Sequence, residues 1–224
     1  RMMAEACIAG EKLGRNNECD FLAVSFSSTD YIGHQYGPNS MEAEDTYLRL
    51  DRELALFLKY LDEQIGAGNY LVFLTADHGA AHNARFLEDH GIPAKSLSIS
   101  TIKNRLNTFL GQKYTDSVLV ESLMNYQVNL NESAIAARKI NRLALREDII
   151  RWLREQPGVT AVLDMENPER NDAVAPIRSM AQNGYFPERC GNIQLILNPG
   201  WYSGYAATGT THGSWNPYDS HIPL

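Results

Sequence analysis

The fold turns on YLVFLTADHG, residues 70–79. The strand-like run 70–75 ends in Asp77-His78-Gly79, two strong metal ligands side by side followed by a glycine. At the C-terminal tip of a buried strand, an acid and an imidazole are costly unless something pairs with them. A metal ion would serve, and the rest of the chain must then supply further ligands.

Upstream lies the pattern of a long helix, about residues 40–65. Asn39 is a good N-cap, with Glu42 three residues on. Tyr47, Leu50, Leu54, Phe57, Leu58, Leu61 and Ile65 recur at helical spacing as one apolar stripe, and Gly66 and Gly68 end it. Before it, residues 20–26 (DFLAVSF) form an apolar run without alternation, expected of a strand covered on both faces. Strand, helix, strand is the right-handed crossover of a parallel sheet. In such sheets chemistry sits past the carboxyl ends of strands. Asp30-x-x-x-His34 and Asp77-His78 both lie there. On a helix or first helical turn, residues four apart point the same way, so Asp30 and His34 can reach one ion. Taken alone, the first pair is an ordinary surface turn and the second an Asp N-cap beside a satisfied histidine.

Downstream, a helix is expected over 99–112 and a hairpin from strands 118–121 and 126–130 across Ser122 to Asn125. Helical pattern covers 132–155, in two pieces. Strands are expected at 158–163 and 192–197, with a helix near 174–183 between them. We take 96–191 as an α+β subdomain inserted into an α/β core made of 1–95 and 192–224. The chain returns through Trp201–Tyr205 to Gly209-Thr-Thr-His212-Gly213, a glycine-rich loop where backbone approaches a ligand closely. The last four residues, His221 to Leu224, read as a strand just begun, so we expect the polypeptide to continue.

The order strand–DxxxH, helix, strand–DHG, long insertion, THG resembles the alkaline phosphatase superfamily. It is most similar to the type I phosphodiesterase/nucleotide pyrophosphatase-like branch and its bacterial phosphate-irrepressible alkaline phosphatases. AVSFSSTDYIGHQYGPNS (23–40), FLTADHGAAHN (73–83) and GTTHGSWNPYDSHIPL (209–224) carry the likeness. The resemblance implies a three-layer α/β/α core with a mostly parallel sheet, and two zinc ions bridged by phosphate. One zinc takes Asp30, His34 and His212. The other takes Asp77 and His78, together with an earlier Asp and a Thr or Ser nucleophile. The 29 residues before Asp30 hold no early strand followed by a Thr- or Ser-initiated helix. The nucleophile is therefore expected outside this chain, which reads as the C-terminal part of a phosphate monoesterase, inactive alone. The resemblance equally allows a phosphodiesterase or nucleotide pyrophosphatase. A non-catalytic, metal-stabilised binding domain is the alternative from another class.

The other polar residues are expected to be less direct. Ser27, Ser28 and Thr29 suit turn and hydrogen-bonding roles. His82 and His90 suit loop packing, with a supporting role behind the ligands open to His82. His221 is a candidate for hydrogen bonding near the zinc loop. Arg138, Lys139, Arg142, Arg146, Arg151 and Arg154 read as the solvated side of a helix.

Bulk properties agree. The 224 residues are 44% hydrophobic and 21% charged, ordinary for a globular protein, with net charge −7. No basic stripe suits a nucleic-acid backbone, and no apolar run approaches the about 18 residues of a membrane span. Bound divalent metal could supply the positive charge that a phosphate ester, the expected substrate, needs in an acidic protein. Cys7, Cys19 and Cys190 read as structural or free thiols with at most one disulfide. The opening Arg1-Met2-Met3 carries no signal-peptide pattern. Export to the periplasm is expected of the whole protein from the resemblance alone.

Overall fold

The computed structural model describes residues 1–114, 118–171, 173–204 and 208–223; Tyr205 and Leu224, named above, lie outside them. Three helices open the chain: α1 (Met2–Glu11), α2 (Ser28–Tyr36) and α3 (Met41–Gln64). The cap of α3 is Ser40, one residue past the expected Asn39. Its backbone is extended and its hydroxyl accepts the Ala43 N–H at 3.1 Å, satisfying one orphan donor of the first turn. Asn39 instead meets the His82 ring at 2.7 Å. The apolar stripe of α3 is partly covered: Leu61 is buried, Leu50, Leu54, Phe57 and Ile65 are half-buried, and Tyr47 and Leu58 are exposed.

The two strands expected on either side of α3 are not strands. Residues 20–26 and 70–75 are without ladder hydrogen bonds to any described residue. Phe21, Leu71, Phe73 and Leu74 stand 61–88% exposed. An apolar run without alternation asks for a partner strand on each side and cover on both faces. The described residues supply neither.

The parallel element is carried elsewhere. After α4 (Ala84–Asp89), β1 (Lys95–Leu97) pairs in parallel with β6 (Trp201–Ser203), in register Lys95 to Trp201. Between these strands lies an antiparallel sheet of four. Its β2 (Val120–Met124) and β3 (Gln127–Leu130) form the hairpin, and β5 (Ile193–Leu197) runs between β3 and β4 (Val159–Asp164), in the order β2-β3-β5-β4. The chain is thus a mixed α/β protein with one parallel and one antiparallel sheet. β5, which the boundary at 192 leaves on the core side, pairs with β3 and β4 in the four-stranded sheet.

The hairpin turn lies later than expected. Ser122 and Leu123 are inside β2, and the turn is Asn125-Tyr126, with φ of +50° and +61°. Two consecutive positive φ values are the type I′ signature, whose twist matches that of the flanking strands.

One face of this sheet is covered by α5 (Ile99–Lys113), α6 (Glu132–Ala137) and α7 (Arg142–Arg154). Leu106 and Leu110 of α5 and Leu145, Ile149 and Leu153 of α7, at helical spacing, pack on Val128, Ile193 and Leu195, all fully buried. The basic run is not simply solvated. Arg142 and Arg146 turn to Glu166, Arg146 reaches Asp164 at 3.4 Å, and Arg146 is only 6% exposed. Asp164 at the end of β4 and Glu166 just past it neutralise what helix periodicity alone assigned to water. Further along lie a helix α8 (Ile177–Gly184) and a short α9 (Pro217–Ser220). All three cysteines are free.

A second, smaller core underlies the loops of interest. Ala81, Ala84, Leu87, Ala94 and Tyr202 are buried together. The Tyr202 hydroxyl accepts the Ala84 N–H at 3.0 Å and lies 3.3 Å from the Gly209 carbonyl oxygen, which ties β6 to both loops.

Candidate metal centre

Asp30 and His34 are four residues apart on α2 and lie on one face, with Asp30 Oδ2 3.5 Å from His34 Nε2. Before them, the Thr29 hydroxyl donates to the Phe26 carbonyl at 2.9 Å and the Ser27 hydroxyl lies 3.4 Å from that of Ser25, while the Ser27 carbonyl accepts the Tyr31 N–H. Across the site, the other oxygen of Asp30 lies 3.7 Å from His212 Nε2 and 3.9 Å from His78 Nε2. One carboxylate therefore faces three imidazoles.

The loops that bring these groups together are fastened by backbone. The Thr210 carbonyl lies 2.9 Å from His34 Nδ1, and the Thr210 N–H donates to the His34 carbonyl at 3.2 Å. The Thr210 hydroxyl donates to Ala81 O, and the buried Asn83 amide donates to Gly209 O at 2.7 Å. Asn83 also caps α4. Two glycines permit the approach. A Cβ at Gly209 would overlap the His34 carbonyl oxygen, and one at Gly79 the Tyr218 carbonyl oxygen. Gly79 of the DHG word thus marks a close approach to Tyr218, and Gly209, at the head of the 209–213 loop, one to His34.

The donor set fits a divalent cation. Ligand atoms of Asp30, His34 and His212 lie within 4.8 Å of one another. Tetrahedral bonds of about 2 Å place ligand atoms about 3.3 Å apart, close to the separations from Asp30. The carbonyl on His34 Nδ1 holds the ring proton there and leaves Nε2 free to ligate. His78 has the same arrangement with the Gly79 carbonyl at 2.7 Å from its Nδ1. His78 and His212 stack with ring centroids 3.4 Å apart and 13° between planes. An imidazole ligates in its neutral form. Burial pushes the His212 imidazole below its ordinary pKa and His78 adds to this; Asp30 opposes, His34 again lowers and Asp219 opposes.

Asp77 stands apart from this convergence. Its side chain is 91% exposed, with Oδ2 3.7 Å from His78 Nε2. His78 groups instead with His212 and the buried Asp219, whose ligand atoms lie within 4.8 Å of one another. Sequence reasoning passed over Asp219, since nothing marks an acid in the four-residue helix after Asn216-Pro217. His82 and His90 flank Phe86, at 5.8 and 4.3 Å between centroids, in loop packing. His221 closes α9, its N–H donating to Pro217 O.

The profile described as "Type I phosphodiesterase / nucleotide pyrophosphatase" matches residues 3–219. The chain belongs to this family. Its relatives include alkaline phosphatase PafA of Elizabethkingia meningoseptica, 44% identical over 222 residues, which are 99% of this chain and 40% of PafA. They also include a protein of Myroides odoratus named calcium-transporting ATPase, 48% identical over 223 residues, 98% of this chain and 41% of that one. The crystal structure of wild-type PafA matches with a TM-score of 0.94 at 43% identity, over 99% of this chain and 42% of that chain. The chain spans about 40% of the length of these relatives. The family read from the DxxxH, DHG and THG words is the family matched, and the α/β fold is that of PafA.

Proposed function

We propose that this chain carries the histidine-rich metal-binding part of a zinc-dependent phosphatase acting on small phosphate esters. The observation that carries this reading is the meeting of Asp30, His34 and His212 around one point. A hydrogen bond from the His34 ring that spans 176 positions of sequence supports it. Zinc held there would polarise a phosphoryl oxygen as a Lewis acid. The chain's own groups prepare for it. Asp30 offers an oxygen to each side, the Thr210 and Gly79 carbonyls orient two imidazoles, and burial favours neutral His212. Asp77 and His78 are proposed for a second zinc, with Asp77 turning inward from its exposed position.

The covalent phospho-Thr or phospho-Ser intermediate of the resemblance needs a free hydroxyl aimed at the metals, and those just before Asp30 do not suit that role. Thr29 is engaged with Phe26 O, and Ser25 and Ser27 lie 3.4 Å from one another. We therefore expect the chain alone to be inactive. The relatives' names favour a monoesterase, while the family description favours diesters and nucleotide pyrophosphates. Among the described residues no helix is long and apolar enough to cross a membrane. We place the whole protein in the periplasm, which cell fractionation checks.

The test is hydrolysis by the whole protein of 4-nitrophenyl phosphate, bis(4-nitrophenyl) phosphate and ATP, with and without zinc. Zinc-dependent preference for the monoester is the expected result. Preference for the diester would move the assignment to the phosphodiesterases. Zinc binding without hydrolysis of any substrate would make this a metal-stabilised binding domain.

A further inference from the structure

Three imidazoles converge on Asp30, and two of them have a partner for the nitrogen that does not face it. His34 Nδ1 lies 2.9 Å from the Thr210 carbonyl and His78 Nδ1 lies 2.7 Å from the Gly79 carbonyl. His212 presents Nε2 to Asp30 at 3.7 Å, and among the described residues no carbonyl serves its other nitrogen. A ligating histidine needs an acceptor there, which fixes both tautomer and ring orientation.

Asp219 is the buried carboxylate that lies beside His212. It is 2% exposed, and its carboxylate shares a 4.8 Å neighbourhood with the ring nitrogens of His78 and His212. One oxygen, Oδ2, accepts the Ser214 N–H at 2.5 Å, two residues beyond His212. Its own carbonyl accepts the Gly79 N–H at 2.7 Å, directly after His78. A single residue thus binds the loop of His212 through its side chain and the loop of His78 through its backbone. A carboxylate this buried is costly without compensation, and one backbone N–H is modest compensation for a full charge. An imidazole N–H would complete it.

We propose that Asp219 is a positioning residue, whose carboxylate holds the proton on His212 Nδ1 and so presents Nε2 for metal binding. The inference rests on the proposed metal-binding reading of the site, in which His212 is a ligand and Asp219 is not. Asp219→Asn is the informative variant. Its amide oxygen keeps the Ser214 hydrogen bond, while its NH₂ now donates toward His212 Nδ1 and favours the opposite tautomer.

Two measurements test this. The first is the ¹⁵N spectrum of the His212 ring in the metal-free chain, wild type and Asp219→Asn. The second is zinc affinity of both, by competition with a fluorescent zinc indicator. We expect wild-type His212 to carry its proton on Nδ1 and the variant to carry it on Nε2. Zinc affinity should fall about 10–100-fold in the variant, as for other groups behind a metal ligand, with the melting temperature of the metal-free chain unchanged. Wild-type His212 protonated on Nε2 overturns the proposal, and this readout does not depend on the variant folding. Equal zinc affinity in the two chains also overturns it. So does weaker binding with an unchanged tautomer and a lowered melting temperature, which marks a purely structural role. If the wild type binds no zinc, the metal-binding reading fails, while the tautomer still decides the role of Asp219.

Discussion

Asp30 is the residue on which the site converges, since its two oxygens lie 3.5–3.9 Å from three imidazole Nε2 atoms. Removing its charge should cost more metal affinity than removing any supporting group. We expect Asp30→Asn to lose more than the about 100-fold that sets the upper range for outer partners, measured as zinc affinity in a chain that still melts cooperatively. Gly79 tests the loop contact differently. A Cβ there would overlap the Tyr218 carbonyl oxygen, and backbone cannot yield as a flexible side chain does. Gly79→Ala should destabilise the chain by roughly 1–3 kcal/mol in urea unfolding and weaken zinc binding as the two loops separate. Unchanged stability would mean that the contact is dispensable. At this scale the sequence was legible where chemistry and spacing coincide. Asp30, His34, His78 and His212 carry motif words and meet in space. Asp219, Thr210 and Asn83 were not legible, because they act through backbone partners far away in sequence, which no local pattern encodes.

At the scale of elements, periodicity named the helices well and the strands unevenly. Capping and stripe placed α3 within a residue at each end, and Leu145, Ile149 and Leu153 mark the buried face of α7. Leu153→Ala should cost about 2–5 kcal/mol, because it is fully buried among side chains that cannot all close the gap. Zinc affinity below the melting transition should stay unchanged, since α7 lies outside the metal-site loops. The runs 20–26 and 70–75 have strand composition, yet a strand exists only with a partner, and composition does not report whether one is present. A second test concerns Asp148 on α7. Burial works to raise its carboxyl, but Lys113 at 2.6 Å and the Tyr114 hydroxyl outweigh it, and the net effect is a lowered pKa. A lowered carboxyl stabilises the fold at pH values above its unfolded pKa, near 3.9. That contribution is lost as pH falls from there through the folded value. Asp148→Asn should therefore be less stable than wild type at neutral pH, with the difference shrinking on acidification below about pH 4. A difference that is flat with pH would assign the loss to packing instead.

At the scale of the whole molecule, the short parallel pair β1–β6 brings residues 95–97 and 201–203, which flank the four-stranded sheet in sequence, side by side. By doing so it returns the THG loop to α2 and the DHG loop. This is how residues near 30, 78 and 212 become neighbours in a chain whose middle is devoted to another sheet. The family match over residues 3–219 and the TM-score of 0.94 to PafA set the fold, while the chain covers 42% of that crystal chain. Activity belongs to this scale too. The chain alone should release no nitrophenol from 4-nitrophenyl phosphate above the zinc-only background, and metal-dependent turnover would show that it contains its own nucleophile. The central claim, that Asp30, His34 and His212 form a metal site, is tested most directly by elemental analysis of the purified chain after zinc loading and exhaustive dialysis, beside His212→Ala. The account predicts about one zinc per wild-type chain and none in a folded variant. Wild type free of zinc, or a variant that retains it in full, would contradict it.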